Sequence, residues 1–347
     1  MLQIFKHLLE SEKWKAWFIK MNNICSHCYG TQCLEQVDLV CKVNEGVSSI
    51  LNSVKTFGSI EIKTRPINIG FTRAKDSQAQ LQVTPRKRPI YDVNLTLHKN
   101  ITTGGKVVRG CCMSVNEDFF FIDHVINQMM NVIASDGTFK YNMSLHPSCG
   151  LDITFVDEKT VAVTSGDSDT KTGIDIIDIH RRSIMKFIKL PGRSFGITRD
   201  GNSLFVCVIG LGIYSIDIVK YTISRVISRP LPVLSYVSVL NENIIYTDNK
   251  NDSVVCCDRN GSHVWTFKEC SILKCPRGIT EDNDGNVYVV GEESANIVII
   301  SKDGKHHKQI LTSVDGLSKP SAIYFDKQNR KLLVANKTKT ACLYYVA

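Results

Sequence analysis

Short runs of β-forming residues alternate with turn signals through much of the chain. Between residues 275 and 312, the strand-like segments RGITE, NVYVVG, NIVIIS and HHKQIL are separated by Asp284-Gly285, by the polar tetrapeptide EESA and by Asp303-Gly304. Asp-Gly between β-branched runs is a hairpin signal. We therefore predict four antiparallel strands here, and one such sheet cannot bury both of its faces alone.

The same order of segments recurs along the chain. KPSAIYFDKQNRKLLVANKTKTACLYYV (319–346) and GRSFGITRDGNSLFVCVIGLGIYSIDIVKYTISRVI (192–227) repeat it, and three further copies begin near residues 107, 150 and 233. A period of roughly 40–45 residues with four strands in each unit is typical of a β-propeller blade. The pattern predicts an all-β fold, a six-bladed β-propeller over residues 90–347.

The last repeat ends at Ala347, after only its third strand. The segment YDVNLTL (91–97) precedes the first repeat and alternates well between apolar and polar residues. We predict that a strand at about 90–98 supplies the missing outer strand of the sixth blade. This pairing closes the ring and protects its sheet edges.

The N-terminal quarter has a different pattern. Residues 1–57 are predicted to form a short helical, coiled-coil-like segment, because residues 1–20 are amphipathic and residues 37–54 carry a heptad-like pattern. Residues 58–89 are predicted to be a linker.

The cysteines of this segment raise the question of a metal site. Cys25 and Cys28 form a CxxC pair, which is common in zinc sites, but the next cysteines, Cys33 and Cys41, are eight positions apart. A structural zinc site usually takes its four ligands as two close pairs. We predict no metal and no cofactor, and leave zinc binding by these four residues open.

Composition limits the setting. The chain has 13 cysteines, an odd number, so a disulfide framework is not expected. Charged residues interrupt the N-terminus where a signal peptide would be apolar, and no apolar run is long enough to span a membrane. We therefore predict a cytoplasmic protein with no membrane partner.

The net charge of +8 is unevenly distributed. Residues 1–89 contain 13 Lys and Arg against 7 Asp and Glu, and the remainder contains 29 against 27. The predicted propeller is thus nearly neutral. This balance argues against a protein that binds phosphate backbones over its whole surface.

Two segments resemble a known family. PRGITEDNDGNVYV (276–289) and KPSAIYFDKQNRKLLVAN (319–336) look like NHL repeats. With GSIEIKTRPINIGFTRAKDSQAQ (58–80) after a helical segment, residues 34–347 resemble the C-terminal half of tripartite-motif (TRIM) NHL proteins, closest to the B-box-containing invertebrate type.

In that family a RING, B-box zinc fingers and a coiled coil precede the propeller, and the propeller recognises a substrate protein or RNA. This sequence has no RING and no complete B-box. The resemblance therefore implies a non-catalytic recognition module, at most the substrate-receptor part of a ubiquitin-ligase pathway. Only a fragment of coiled coil is present, so the oligomeric state stays open.

Propeller geometry predicts where a partner binds. In an antiparallel blade, the connection entering the first strand and the connection between the second and third strands emerge on one face, around the channel mouth. Functional residues commonly lie on loops of a rigid scaffold. We call this the upper face, and its candidate partner-binding residues are Arg109, Asp123, His124, Arg193, Asp248, Asn249, Arg277, Glu292, Asn336 and Lys337.

Three functions are compatible with these residues. The first is a protein-recognition module with arginine anchors. The second is single-stranded RNA binding through the basic residues, opposed by the acidic residues Asp167, Asp169, Glu292 and Glu293 and by the lack of an aromatic platform. The third is a calcium-dependent, lactonase-like enzyme, whose candidate ligands are Asp123, Asp152, Asp248 and Asn336.

Overall fold

A computed structural model describes the backbone of residues 36–42, 59–65, 90–124, 128–168 and 170–347, and their side chains from residue 90 onward. By its contacts the chain divides into two units, Met1–Val83 and Thr84–Ala347. In these described segments, no helix is both long enough and apolar enough to cross a membrane.

Two strands occur in the N-terminal unit. Strand β1 (Gln36–Lys42) pairs antiparallel with β2 (Ser59–Arg65), with Gln36 opposite Arg65. The sequence predicted the start of a heptad-patterned helix over β1 and a linker over β2, and both stretches are strands instead. Strand β2 alternates polar and apolar residues over residues 59–63, β1 does so over residues 36–39, and cross-strand hydrogen bonds join the facing backbone groups of the two strands. The predicted helix over 1–20 and Cys25, Cys28 and Cys33 lie outside the described residues.

Residues 90–347 form the predicted six-bladed propeller, with four antiparallel strands in each blade. Blades 1 to 5 take their strands in chain order. The strands are β4 (Val108–Met113), β5 (Phe119–Asp123), β6 (Met129–Ile133) and β7 (Phe139–Ser144); β8 (Ile153–Asp157), β9 (Thr160–Thr164), β10 (Gly173–Asp178) and β11 (Ser183–Lys189); β12 (Ser194–Asp200), β13 (Ser203–Val208), β14 (Gly212–Asp217) and β15 (Ile223–Ile227); β16 (Val237–Leu240), β17 (Asn243–Asp248), β18 (Ser253–Asp258) and β19 (His263–Lys268); β20 (Pro276–Glu281), β21 (Val287–Gly291), β22 (Asn296–Ile300) and β23 (His307–Leu311).

Blade 6 closes the ring with both parts of the chain, as the sequence predicted. It consists of β24 (Pro320–Asp326), β25 (Lys331–Asn336) and β26 (Thr340–Val346), with β3 (Leu95–Thr102) as its outer strand. The pairing runs from Thr340 opposite Thr102 to Val346 opposite Leu95. A short 3-10 helix, Ile90–Asp92, leads into β3 and buries Ile90.

The core lies between neighbouring blades. The second and third strands of the blades are almost entirely buried, whereas most outer strands are largely exposed on one side. Burial on both faces explains why the inner strands read as continuous apolar runs, such as the fully buried β5. The first strands of the six blades contact each other in a closed ring around a central channel.

The predicted turns occur where Asp-Gly stands in the sequence. Gly285 lies between β20 and β21 with φ of 88°, and Gly304 lies between β22 and β23 with φ of 71°. Glycine reaches this left-handed region without strain. At Gly304 a Cβ would also lie 2.6 Å from the Trp265 ring, so this turn needs glycine for two reasons.

Candidate partner-binding site and channel cavity

Three cationic side chains converge on one carboxylate at the upper face. Oε2 of Glu292 accepts hydrogen bonds from Arg109 Nη1 at 2.8 Å and from Arg277 Nε at 2.6 Å. Nζ of Lys337 lies 3.2 Å from the other oxygen, Oε1. We call these four residues the Glu292 cluster. Arg109 and Arg277 start the first strands of blades 1 and 5 at equivalent repeat positions, whereas Glu292 and Lys337 follow the second strands of blades 5 and 6.

The electrostatics of this cluster favour an ionised carboxylate. Burial raises the pKa of Glu292, but the Arg109 and Arg277 guanidiniums outweigh it and lower the pKa to about 2. The cluster therefore carries a surplus of positive charge. Among the described residues, the buried atoms Arg109 Nε and Arg277 Nη1 have no hydrogen-bond partner. A buried donor without a partner is costly.

A second charged group lies beside the first. Nδ1 of His124 lies 2.8 Å from the carbonyl oxygen of Cys149, so this nitrogen carries a proton. Its Nε2 is 3.4 Å from Asp167 Oδ2, and Arg193 Nη1 is 3.7 Å from Asp167 Oδ1. The hydrogen bond from His124 lowers the pKa of Asp167, and the positive charges of Arg193 and Arg109 lower it further. We call His124, Asp167 and Arg193 the Asp167 cluster.

The other four candidates shape the loops of the upper face. Asp123 is fully buried, and its Oδ1 accepts the N–H of Val107 at 2.8 Å. Asp248 binds the Asn251 amide through Oδ2, and the Asn249 amide donates to the Val233 carbonyl. Asn336 accepts the N–H of Ser318 at 2.9 Å. Asp123 and Asn336 thereby hold connections next to His124 and Lys337, whereas Asp248 and Asn249 hold connections of blade 4.

The proposed calcium ligands are not brought together as a site. Asp123, Asp248 and Asn336 each bind backbone or side-chain groups of their own connections, and Asp152 lies in the channel. In the part of the chain that the structure describes, no group of three or more His, Cys, Asp or Glu side chains is arranged to hold a metal ion.

The central channel contains a cavity of about 350 Å³, to which all six first strands contribute. We call it the channel cavity. Its exposed lining residues lie at Val115, Arg199 and 327–329, where first strands end or turn into second strands. The cavity therefore opens on the lower face, the side opposite the Glu292 cluster. Tyr236 separates the two, because it lines the cavity while its hydroxyl donates to the Arg109 carbonyl at 2.7 Å.

Two buried carboxyls line this cavity. Oδ2 of Asp152 accepts a hydrogen bond from the N–H of Ile197 at 2.9 Å. Its Oδ1 accepts one from the N–H of the next residue, Ile153, at 3.0 Å. Oε1 of Glu281 accepts a hydrogen bond from Lys327 Nζ at 2.6 Å, and its Oε2 accepts one from the hydroxyl of Ser238. Burial raises the pKa of Asp152 to about 7. Burial also raises the pKa of Glu281 to about 7, although Lys327 opposes the shift.

These raised pKa values predict that the propeller loses stability as pH rises from 5 to 8. Both carboxyls bind a proton more tightly in the folded chain than in the unfolded chain, where their pKa is about 4. The stabilisation that the folded chain gains from this tighter proton binding is complete below about pH 4. It is lost as pH rises through about 7, where the folded carboxyls ionise. Each contributes on the order of 2–4 kcal/mol.

Thermal unfolding at several pH values checks this prediction. We expect Tm to fall between pH 5 and pH 8, and we expect the slope to be roughly halved in Asp152→Asn or Glu281→Gln. Asp157→Asn is a matched control, because Asp157 is exposed on the same blade as Asp152. A parent protein whose Tm is constant or rises over this range would contradict the prediction.

The sequence did not single out Glu281, Tyr236 or Lys327. The available signal is weak: Glu281 is an acidic residue at the end of strand β20, which also carries Arg277 and Thr280. Its carboxyl turns towards the channel only because Ser238 of blade 4 and Lys327 of blade 6 bind it there. Asp152 was a candidate, but as a calcium ligand in the channel together with Asp123, Asp248 and Asn336, which do not join it there.

Comparison with known proteins gives one relative by sequence. The chain is 30% identical over 79 residues to E3 ubiquitin-protein ligase TRIM56 from Mus musculus. This match covers 22% of the chain and 11% of the length of that relative. No protein-family model matches the chain.

Solved structures share the fold at low sequence identity. Virginiamycin B lyase from Staphylococcus aureus has a TM-score of 0.54 and 16% identity, covering 74% of this chain and all of the lyase. A catalytically inactive His-to-Ala variant of that lyase with quinupristin has a TM-score of 0.53 and 17% identity, with the same coverage. A Bacteroides thetaiotaomicron protein of unknown function has a TM-score of 0.61 and 14% identity, covering 74% of this chain and 76% of its own.

Proposed function

We propose that this chain is a non-catalytic recognition module of the cytoplasm that binds a protein partner through the upper face of its propeller. Its part in the cell is that of the substrate receptor in a TRIM-type ubiquitin-ligase pathway, with NHL-type blades. The short similarity to a TRIM ubiquitin ligase and the six-bladed fold support this proposal.

The observation that favours a protein partner is the chemistry of the upper face. Cations and carboxylates alternate there in the Glu292 and Asp167 clusters. In the described connections of this face, Tyr236 is the only Phe, Tyr or Trp, and it is buried. Arginine is enriched among the anchor residues of protein interfaces, and polar residues form their rim. Single-stranded RNA usually needs exposed aromatic rings on which its bases stack.

The other two interpretations receive less support. Phosphates would fit the unpartnered arginine atoms, but Asp167, Glu292 and Glu293 would repel them on the same face. The enzyme interpretation rests on a fold shared with a lyase at 16% identity. The described residues also offer no ligand set for calcium.

The double variant Arg193→Gln/Lys337→Gln tests the proposal. Both side chains are half-exposed on the upper face, one in each charged cluster. We expect this variant to fold as the parent does. Its affinity for the partner should fall by at least about tenfold, because each anchor contributes roughly 1–2 kcal/mol to binding. Partners are captured from a cytosolic extract by cross-linking and identified, and the purified partner is then titrated calorimetrically.

The matched control is Arg181→Gln/Lys302→Gln, which removes the same charge from exposed connections of the lower face. It is expected to bind like the parent. A partner that is lost from the control and kept by the upper-face variant would show that the choice of face is wrong. If a random single-stranded RNA pool binds in a salt-sensitive way and this binding is lost in the upper-face variant, the partner is RNA rather than a protein.

A further inference from the structure

The channel cavity has a built interior that the upper-face function does not use. Its lining is mixed: nearly fully buried aliphatic residues of the first strands lie beside hydroxyl, amide and charged groups, and the aliphatic residues include Ile153, Ile197, Val237, Ile279 and Ile323. Its volume of about 350 Å³ is in the range of small-ligand pockets. Such a space holds an aliphatic chain of a few carbons, which the walls would remove from water.

Asp152 places one buried carboxylate in the walls of this cavity, beside the aliphatic residues. Among the ion pairs of the described residues, none includes Asp152, and its two hydrogen-bond donors are uncharged backbone N–H groups. Glu281, in contrast, is already paired with Lys327. A buried carboxylate is stabilised by a positive partner. The cavity leaves space beside Asp152 for a positive partner that the described residues do not supply.

We infer that the channel cavity binds an aliphatic ammonium group, with the charge on Asp152 and the carbon chain against the isoleucine walls. The ammonium donates hydrogen bonds to the carboxylate oxygens, and no bond is made or broken. The same chemistry belongs to a free alkylamine and to the lysine side chain of a peptide. This inference does not depend on the proposed function, because the cavity opens on the opposite face.

The charged residues at the mouth do not exclude such a cation. Lys327 is neutralised by Glu281 at 2.6 Å, and Asp326 stands beside it. Arg199 turns towards the carbonyl oxygen of Gly201, to which its Nε donates at 2.9 Å. A cation entering between them meets acidic groups of the mouth before it reaches Asp152.

The binding has an expected pH dependence. The titratable groups that act on Asp152 from the neighbouring strands are Cys111, Cys112, Cys207 and Tyr236, and burial raises the pKa of each, so they stay neutral near pH 7. Arg109 lies beyond Tyr236, and Glu281 and Lys327 lie at the mouth. Since the pKa of Asp152 is about 7, an ammonium should bind about tenfold more weakly for each pH unit below 7.

The experiment titrates the full chain with n-pentylamine and, as a neutral control of the same length, with pentan-1-ol. Ligand-observed NMR at pH 8 gives the Kd. We expect pentylamine to bind with a Kd below about 10 mM and at least tenfold more tightly than pentanol. Asp152→Asn should remove this preference, whereas Asp157→Asn, on an exposed carboxylate of the same blade, should keep it.

A second variant guards against misfolding of the first. Val115 is an exposed residue of the cavity mouth, so Val115→Trp should narrow the opening without changing Tm. It should weaken pentylamine binding by at least about tenfold, a change worth 1.4 kcal/mol. Equal affinities for pentylamine and pentanol would overturn the inference. Failure of both pentylamine and a lysine-containing peptide to bind saturably would also overturn it.

A tripeptide with a central lysine and blocked ends separates the two sources of the ammonium group. If it binds more tightly than pentylamine, and its norleucine counterpart does not, the occupant is a partner's lysine side chain. If pentylamine alone binds, the occupant is a free amine. Both results support an ammonium site at Asp152, and both are independent of whether Arg193→Gln/Lys337→Gln loses a partner.

Discussion

Replacing Leu95–Thr102 with eight alternating Gly and Ser residues is expected to remove most of the stability of the propeller. Strand β3 pairs with β26 along its whole length and is the outer strand of blade 6 in the described part of the chain. Without it, β26 loses a ladder of hydrogen bonds, each with a net value of roughly 0.5–1.5 kcal/mol. The expected loss of about 5–10 kcal/mol is comparable with the total stability of many domains.

Urea unfolding followed by circular dichroism measures this loss, and two single substitutions on the same strand refine it. Ile101 is buried against β26 and its neighbours, whereas Leu97 is half-exposed. Ile101→Asp should cost at least about 3 kcal/mol because it buries a charge in an apolar cluster. Leu97→Asp should change stability by no more than about 0.5 kcal/mol. Parent-like unfolding of the Gly-Ser variant would disprove closure by β3.

Glu292→Gln is expected to have the second-largest effect. Glu292 neutralises Arg109, Arg277 and Lys337 in a site where Arg109 is almost fully buried. Removing its charge leaves three cations to repel each other with little water around them. Breaking a buried ion pair on one side typically costs 3–5 kcal/mol. We expect a loss of about 3–5 kcal/mol, measured by urea unfolding at pH 7.

The acid limb of stability provides an independent check. Because the pKa of Glu292 is lowered to about 2, its contribution is present above the unfolded-state value of about 4.3 and is lost as pH falls towards 2. Glu292→Gln should lack this loss. Glu293→Gln, one residue along and exposed, should behave like the parent at every pH. Equal stability of the two variants at pH 7 would contradict the role assigned to the cluster.

The repeat, the hairpins and the closing strand were predictable because they depend on local chemistry. Asp284-Gly285 and Asp303-Gly304 specify tight turns whichever sheet contains them, and the spacing from Ile279 to Ile323 reports the size of a blade. The incomplete last repeat required an outer strand from elsewhere, and YDVNLTL was the nearest candidate with the right alternation.

The internal ion network was less predictable. Arg109 and Arg277 were recognised as equivalent positions, but their convergence on Glu292 depends on blades 1 and 5 both flanking blade 6. Strand period gives the side of a strand on which a residue lies, not the partner that it meets across a ring. The same limit hid Glu281. Strand β1 was missed because spaced apolar residues fit a short helix and a short strand almost equally well.

Closure by β3 also sets an order of events during protein synthesis. Strand β3 leaves the ribosome before any blade, and β26, which must pair with it, is made about 240 residues later, after roughly 10–50 s at usual elongation rates. Throughout this interval the nascent chain carries an unpaired strand. On a crowded messenger RNA, that strand can pair with β26 of an older neighbouring chain, which gives a swapped dimer with the same hydrogen bonds. The yield of monomer should therefore depend on how densely ribosomes translate the message.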